Sequence, residues 1–402
     1  MPCEVEAIEQ FEDLISDHIG PDEQMVDYKL TNLTAPGENY GSIMLKIDVV
    51  LKNNKTGQER LLDLVGKMIP RLEVMQNIFN VQVTFKNEIA FYLELIPAVQ
   101  LFLEENNILD KVSYAAQSYG GRISLDPSSE KVDENAIILL QNLKVLGYTT
   151  CDRRKGFDLK STRIILKNLA KFNAYPLALK LKKPKEFETK VKPNLVDYYL
   201  TDNFYEFTVR QFAKMIKTEQ DIDENTKERA VEIIRRKALK VTHEPWATVT
   251  HNDLWVNNLM VKFTNDEPVD AILVDFQVCE YKSPLRDLLF FLFSSVTLEV
   301  LREHLDELID LYYEEFANVL KLFKLNTDEF SRKNFDQQVK LAANESEFYH
   351  VIYMLPPILF DGKLADMSEI GDKVFNAELE PTDLHKKRFS FTVKEFARRG
   401  WI

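Results

Sequence analysis

The sequence predicts an α+β protein in two lobes, sheet-rich over residues 1–140 and mainly helical over residues 141–402. Three observations predict it. Between Tyr28 and Ile69, runs of strand character are separated by a loop holding Gly37 and Gly41 and by the strong turn at residues 52–57. After about Cys151, apolar residues recur at helix spacing. Inside that helical half, one short hairpin gathers a set of polar residues at one end.

The chain has 402 residues, 45% of them hydrophobic, enough for two lobes with a large core. A net charge of −13, with no long basic stripe, argues against a nucleic-acid partner. The three cysteines, Cys3, Cys151 and Cys279, are too sparse for a disulfide framework, which points to a reducing, cytoplasmic setting. Cys279 reads as a small core residue. The acidic start from Met1 to Glu6 lacks the pattern of a signal peptide, and the most apolar run, residues 288–296, is too short to span a bilayer. No membrane partner is expected, and the oligomeric state is left open.

Residues 4–19 carry Val5, Ile8, Phe11, Leu14 and Ile15 at helix spacing and predict a packing helix. Strands follow at 28–33, 42–51 and 59–69. In the third, Lys67 stands in the run Leu64-Val65-Gly66-Lys67-Met68-Ile69. A buried ammonium is costly unless paired, so Lys67 wants phosphate oxygens or a carboxylate of the next helix. That helix is expected at 82–94, with Phe85, Ile89, Tyr92 and Leu93 on its buried face and Glu88 and Glu94 as the competing acids. Residues 111–119 and 135–140 read as two more strands around a polar turn at 120–130. The second leads into the linker Gln141-Asn142-Leu143.

In the helical half, residues 159–181 form a helix kinked or ended at Tyr175-Pro176, and residues 180–192 a basic, solvated loop. Helices are expected at 195–216 and 221–239. A strand at 247–250 leads into His251-Asn252-Asp253-Leu254-Trp255-Val256-Asn257-Asn258. Apolar runs at 259–263 and 269–274 flank a turn and read as a hairpin closed by Asp275-Phe276-Gln277. Asp253, Asn258 and Asp275 therefore share one end of it. Further helices are expected from Pro284, at 299–322, 328–343, 346–355 and 384–399. Phe290, Phe291, Phe293, Tyr349, Tyr353 and Phe360 are aromatics that could wall an acceptor pocket.

The polar set fits phosphoryl transfer, which needs a carboxylate to take the incoming hydroxyl's proton and oxygen ligands for magnesium. Magnesium binds few protein oxygens, because it keeps water and takes phosphate oxygens as well. Asn258 and Asp275 meet that demand, and Asp253 is free to be the base. His251 reads as an organiser of the loop's hydrogen bonds.

These motifs, His-x-Asp-x-x-x-x-Asn with Asp-Phe-Gln, are similar to those of aminoglycoside phosphotransferases and choline kinases. The closer form, His-Asn-Asp-Leu-Trp-x-x-Asn, resembles the insect ecdysteroid kinase-like family, over most of the chain from about Tyr28. The resemblance implies a protein-kinase-like fold with ATP in the cleft. It places Asn39, Tyr40, Gly41 and Ser42 in a loop over the phosphates, and Lys67 on them. It selects Glu88 as the partner of Lys67, within Phe85-Lys86-Asn87-Glu88-Ile89-Ala90-Phe91-Tyr92. It places Gln141, Asn142 and Leu143 at the adenine, where relatives carry Glu-Asp-Leu and this chain has lost two charges. Asn173 stands where relatives often carry His.

The resulting expectation is a small-molecule kinase using ATP and Mg2+, its acceptor a hydroxylated apolar molecule such as an ecdysteroid, a related steroid or a xenobiotic. The short spacing from Asp275 to the helix near Pro284 favours a small acceptor over a protein. The alternatives are a choline or ethanolamine kinase, a non-catalytic hormone-binding pseudokinase, and a metal phosphoesterase built on His251 and Asp253.

Overall fold

The computed structural model describes residues 5–33, 41–197, 202–236, 238–239, 241–359 and 380–402. The N-terminal helix is shorter than its pattern suggests. Gln10 takes a φ of 50°, so the helix α1 (Phe11–Ile15) starts late, and a 3-10 turn follows at once. Strands β1 (Glu23–Asn32), β2 (Ile43–Asn53) and β3 (Glu59–Met68) pair antiparallel in sequence order. Along β2, Leu45, Ile47, Val49 and Leu51 alternate onto one face. With Val5, Ile8, Phe11 and Ile15 they bury a small core on that side of the sheet.

Helices α2 (Glu73–Ile78), α3 (Val81–Ala90) and α4 (Ile96–Glu105) cover the other face. A π turn at Phe91–Leu95 joins α3 to α4. The extra residue rotates the helix, which explains why Leu93, expected inside, is exposed while Tyr92 is buried. The sheet closes with β4 (Ser118–Arg122) and β5 (Ile137–Gln141) in the order β1-β2-β3-β5-β4. The strand expected at 111–119 is a correction: regular pairing begins only at Ser118. Residues 111–117 instead reach the hairpin, where the Tyr114 carbonyl accepts the Leu273 N–H at 2.8 Å. Gly120, expected in a turn, lies in β4 with a φ of 139°, and a Cβ there would stand 2.3 Å from the Leu14 carbonyl oxygen. Only glycine fits.

The rest is mostly helical. After β6 (Tyr148–Thr150), α5 (Leu159–Lys182) starts at Asp158, which accepts the Ser161 N–H at 2.8 Å. It neither ends nor breaks at Pro176: every residue from Phe172 to Lys180 is buried, and packing all round holds the turn that lacks one hydrogen bond. The basic stretch after it is no solvated loop. It holds α6 (Pro184–Glu186) and a π turn with Phe187 and Val191 buried. Lys180 is itself buried, donating to Glu244 Oε2 at 2.8 Å and to the Pro245 carbonyl at 2.9 Å. Helices α7 (Asp202–Thr218) and α8 (Glu224–Arg236) follow. Strand β7 (Thr248–Thr250) enters the polar loop, and β8 (Leu259–Thr264) and β9 (Glu267–Leu273) form the expected hairpin. Its turn uses Asn265 and Asp266 at φ values of 52° and 63°, a conformation those residues tolerate. Strand β10 (Glu280–Lys282) pairs with β7. Helices α9 (Leu285–Ser295), α10 (Leu298–Leu322), α11 (Arg332–Ala342), α12 (Phe348–Leu359) and α13 (Asp383–Arg398) complete the chain. One continuous core runs from α3 and α4 through α5 to α13. No helix among the described residues is long and apolar enough to cross a membrane.

Candidate active site

The polar loop between β7 and β8 is held from below by α9. Asp287, in the first turn of α9, accepts the backbone N–H of His251 at 2.8 Å and of Asn252 at 2.9 Å. Burial raises its carboxyl to about 6, against the pull of those N–H groups. Asn173, from α5, donates to Asp287 and to the Val249 carbonyl, both at 3.0 Å, and accepts from Tyr312 Oη at 2.8 Å. Its amide satisfies three buried partners at once. The His251 ring is fully buried and bonds the Val274 carbonyl through Nε2 at 3.0 Å, so Nε2 carries the proton. Burial lowers it to about 4, so it stays neutral and organises the loop.

Asp253 and Asn258 meet directly. The Asn258 amide nitrogen donates to the Asp253 carbonyl at 2.8 Å and to its Oδ2 at 2.9 Å. The reverse orientation would set three oxygens against one another, so the amide oxygen is the atom turned away from Asp253. The Asp253 carboxyl lies well above the usual range, first because surrounding protein excludes water and second because the Asp275 charge is close. Bonds from Asn258 and Trp255 oppose that rise.

Lys67, far away in sequence, comes to the same place. It is 7% exposed, and its Nζ stands 2.5 Å from Glu88 Oε2 on α3 and 2.7 Å from Asp275 Oδ1. Of the two competing acids, geometry selects Glu88: Glu94 is exposed and accepts from Asn194. One cation between two acids has clear consequences. Burial works against the Lys67 charge, but Asp275 and Glu88 outweigh it and raise Lys67. Glu88 is pushed up to about 7 by burial, helped by Asp275 and opposed by Lys67. Asp275 takes a φ of 70°, uncommon for a residue with a side chain and found at functional turns. The next residue, Phe276, is buried and stacks on Phe91 at 3.7 Å, fixing the motif against the end of α3.

The other expected contacts are placed as follows. Asn39 and Tyr40 lie outside the described residues. Gly41 and Ser42 run into β2, where Met44 pairs with Lys67, and a Cβ on Gly41 would press the Phe79 ring at 3.2 Å. In the linker, the Gln141 amide already donates to Gln117 and the Asn142 amide to Asp63. The Asn142 side chain accepts the Lys144 N–H at 3.1 Å, capping a short turn that begins with buried Leu143. Phe290, Phe291 and Phe293 belong to the core, as expected of most of these aromatics, because α9 is buried on every side. Tyr349 is nearly buried and stacks with Tyr353; Phe360 lies outside the described residues.

Two contacts were missed in the sequence. Arg286 Nη2 donates to Asn252 Oδ1 at 3.0 Å, and Gln277 Nε2 stands 3.5 Å from Asp275 Oδ2. A charged pair, Arg286-Asp287, opening an otherwise apolar helix was the signal for the first.

The family model for the ecdysteroid kinase-like family matches residues 36–325. The chain belongs to that family. A comparison with curated proteins returned no significant match. Among solved structures, the chain is similar to a choline kinase from Cryptosporidium parvum at 12% identity, covering 93% of this chain and 91% of that one, with a TM-score of 0.45. It is also similar to an ethanolamine kinase from Plasmodium vivax at 10% identity, covering 97% and 87%, with a TM-score of 0.39. For this ecdysteroid kinase-like chain, no group of three or more His, Cys, Asp or Glu among the described residues is arranged to hold a metal ion. One acid and one amide are what a magnesium site shared with phosphates would require.

Proposed function

We propose that this ecdysteroid kinase-like protein transfers the γ-phosphoryl group of ATP, with Mg2+, to a hydroxyl of a small apolar acceptor, an ecdysteroid or a related steroid or xenobiotic. The observation that carries the reading is Lys67 of β3 bonded to both Glu88 and Asp275, beside the Asp253–Asn258 pair. A cation buried between two acids, next to a third acid in the field of the second, is the polar half of a phosphate and metal site. On this reading ATP lies between residues 1–140 and 141–402.

The residues fit a magnesium ion. The Asn258 amide oxygen is free of Asp253, and Asp275 holds one oxygen beyond its Lys67 contact. Burial first, and the Asp275 charge second, raise the Asp253 carboxyl, and a divalent cation would relieve the second. When bound, the ion would neutralise charge on the phosphates. Lys67 then faces phosphate oxygens, oriented by Glu88. Asp253 accepts the proton of the acceptor hydroxyl as its oxygen bonds the γ-phosphorus and the bond to the ADP oxygen breaks. Gly41 and Ser42, with Asn39 and Tyr40, would cover the phosphates. Carbonyls of Gln141 and Asn142 and the Leu143 amide would meet the adenine, since the other two linker amides are already donated.

The acceptor preference rests on membership of the ecdysteroid kinase-like family. The test is incubation with ATP, Mg2+ and pooled hydroxylated steroids and xenobiotics, read by mass spectrometry. One product gaining one phosphoryl group is expected; unchanged acceptors alongside unchanged ATP would overturn the reading.

A further inference from the structure

Arg286 is buried and sits where three elements meet. Its Nε donates to Glu347 Oε1 at 2.7 Å, its Nη1 to Glu280 Oε2 at 3.2 Å and its Nη2 to Asn252 Oδ1 at 3.0 Å. Glu280 and Glu347 have no exposed surface, while Asn252 is only half-buried. The guanidinium thus has two buried acids behind it and one neutral oxygen in front, on the residue next to Asp253. Asn252 has a φ of 63°, a backbone state that side chains other than Gly, Asn or Asp seldom hold. Its N–H is held by Asp287 and its side chain by Arg286. Backbone and side chain are fastened by consecutive residues of α9.

The far side of the cluster leads to α12. Glu347 ends a π turn, residues Ala343–Glu347, that opens into this helix, and its Oε2 lies 3.0 Å from His350 Nδ1. The His350 ring lies flat on Phe290 of α9 at 3.9 Å and 2°. Single π turns concentrate at functional sites. Here one aims a carboxylate at the arginine that holds the loop.

We infer that Arg286 is a positioning residue for phosphoryl transfer: it locks Asn252 in its left-handed state, sets the direction of the Asp253 carboxylate, and is itself aimed by Glu347 at the base of α12. This rests on the assignment of Asp253 as the base. A planar fork with three fixed directions is required, so lysine, a point charge on a flexible stem, does not replace it.

The test uses the full chain and three variants, Arg286→Lys, Glu347→Gln and Asn252→Gly. The last removes the side chain that Arg286 holds, keeps both buried ion pairs and tolerates the φ, so it should fold even if the others do not. Two readouts are taken. Amide hydrogen exchange over residues 251–255 should quicken by ~10-fold in Asn252→Gly, with protection elsewhere unchanged, as for loss of one bond from a charged donor. With any acceptor turned over by the wild type, kcat should fall by about 10²-fold in all three, with the KM for ATP within about twofold, because misplacement of a reacting group acts on the chemical step. Unchanged exchange at 251–255 in Asn252→Gly overturns the positioning role whether or not the chain is a kinase. A wild type that turns over no acceptor counts against the proposed function alone, and the exchange result still decides the role of Arg286.

Discussion

In the proposed reaction Asp253 is the base, and its surroundings bear on that role. Its carboxyl is fixed by Asn258 and kept above the usual range by enclosure and by Asp275. Asp253→Asn should therefore keep ATP binding by calorimetry and lower turnover by ~10²–10⁴-fold. Glu88 carries a prediction about stability without ligands. Its carboxyl is raised from 4.5 to about 7 in the folded protein, so the folded state binds this proton more tightly than the unfolded one. The contribution is full below pH 4.5 and is lost as pH rises through about 7. Glu88→Gln cannot titrate, so the wild type should lose more thermal stability than the variant between those pH values. Parallel melting curves would contradict this. At this scale the sequence was most informative about residues in motifs, since Asp253, Asn258, Asp275, Lys67 and Glu88 do converge. It said little about Arg286 or Asn173, whose importance lies in partners more than 30 positions away.

At the scale of elements, hairpins and long helices were legible because period-two and helix-spaced burial leave regular marks. The β8–β9 hairpin and α10 fall close to their expected bounds. Three departures have local causes that periodicity does not encode. The π turn at Phe91–Leu95 turned Leu93 outward. Burial on all sides carried α5 through Pro176. Residues 111–117 were drawn to the hairpin by the bond from Leu273 to Tyr114, leaving β4 to start at Ser118. The junction of the polar loop with α9 gives the test at this scale. Asp287→Ala leaves the His251 and Asn252 N–H groups and the Asn173 amide without their acceptor. At about 1.5–3 kcal/mol for each bond to a charged group, urea unfolding should show a loss of ~4.5–9 kcal/mol. A loss within 1 kcal/mol or so would mean that the loop holds its shape without α9.

Across the whole molecule, the sheet and the helical region are tied at the site by a short list of contacts: Lys67 to Asp275, Phe276 onto Phe91, and Leu273 to Tyr114. The sequence predicted a sheet-rich and a helical region with Lys67 facing the Asp253, Asn258 and Asp275 set, because motif and buried lysine demand partners; the Phe276–Phe91 and Leu273–Tyr114 contacts were not foreseen. It left open how the linker amides are used and what α12 presents, since both depend on packing between distant segments. A ligand bound between the regions should stabilise the fold by mass action, about 2.7 kcal/mol at a hundredfold excess over Kd. Magnesium–ATP should raise the Tm of the wild type, and Asp275→Ala should abolish the part that depends on magnesium. The most direct measurement of the central claim follows the γ-phosphoryl group of labelled ATP, with Mg2+ and pooled hydroxylated steroids, in the wild type and in Asp253→Asn. Label should move to a steroid in the wild type, need magnesium, and nearly vanish in the variant. Label on no acceptor, or transfer by Asp253→Asn at the wild-type rate, would contradict the account.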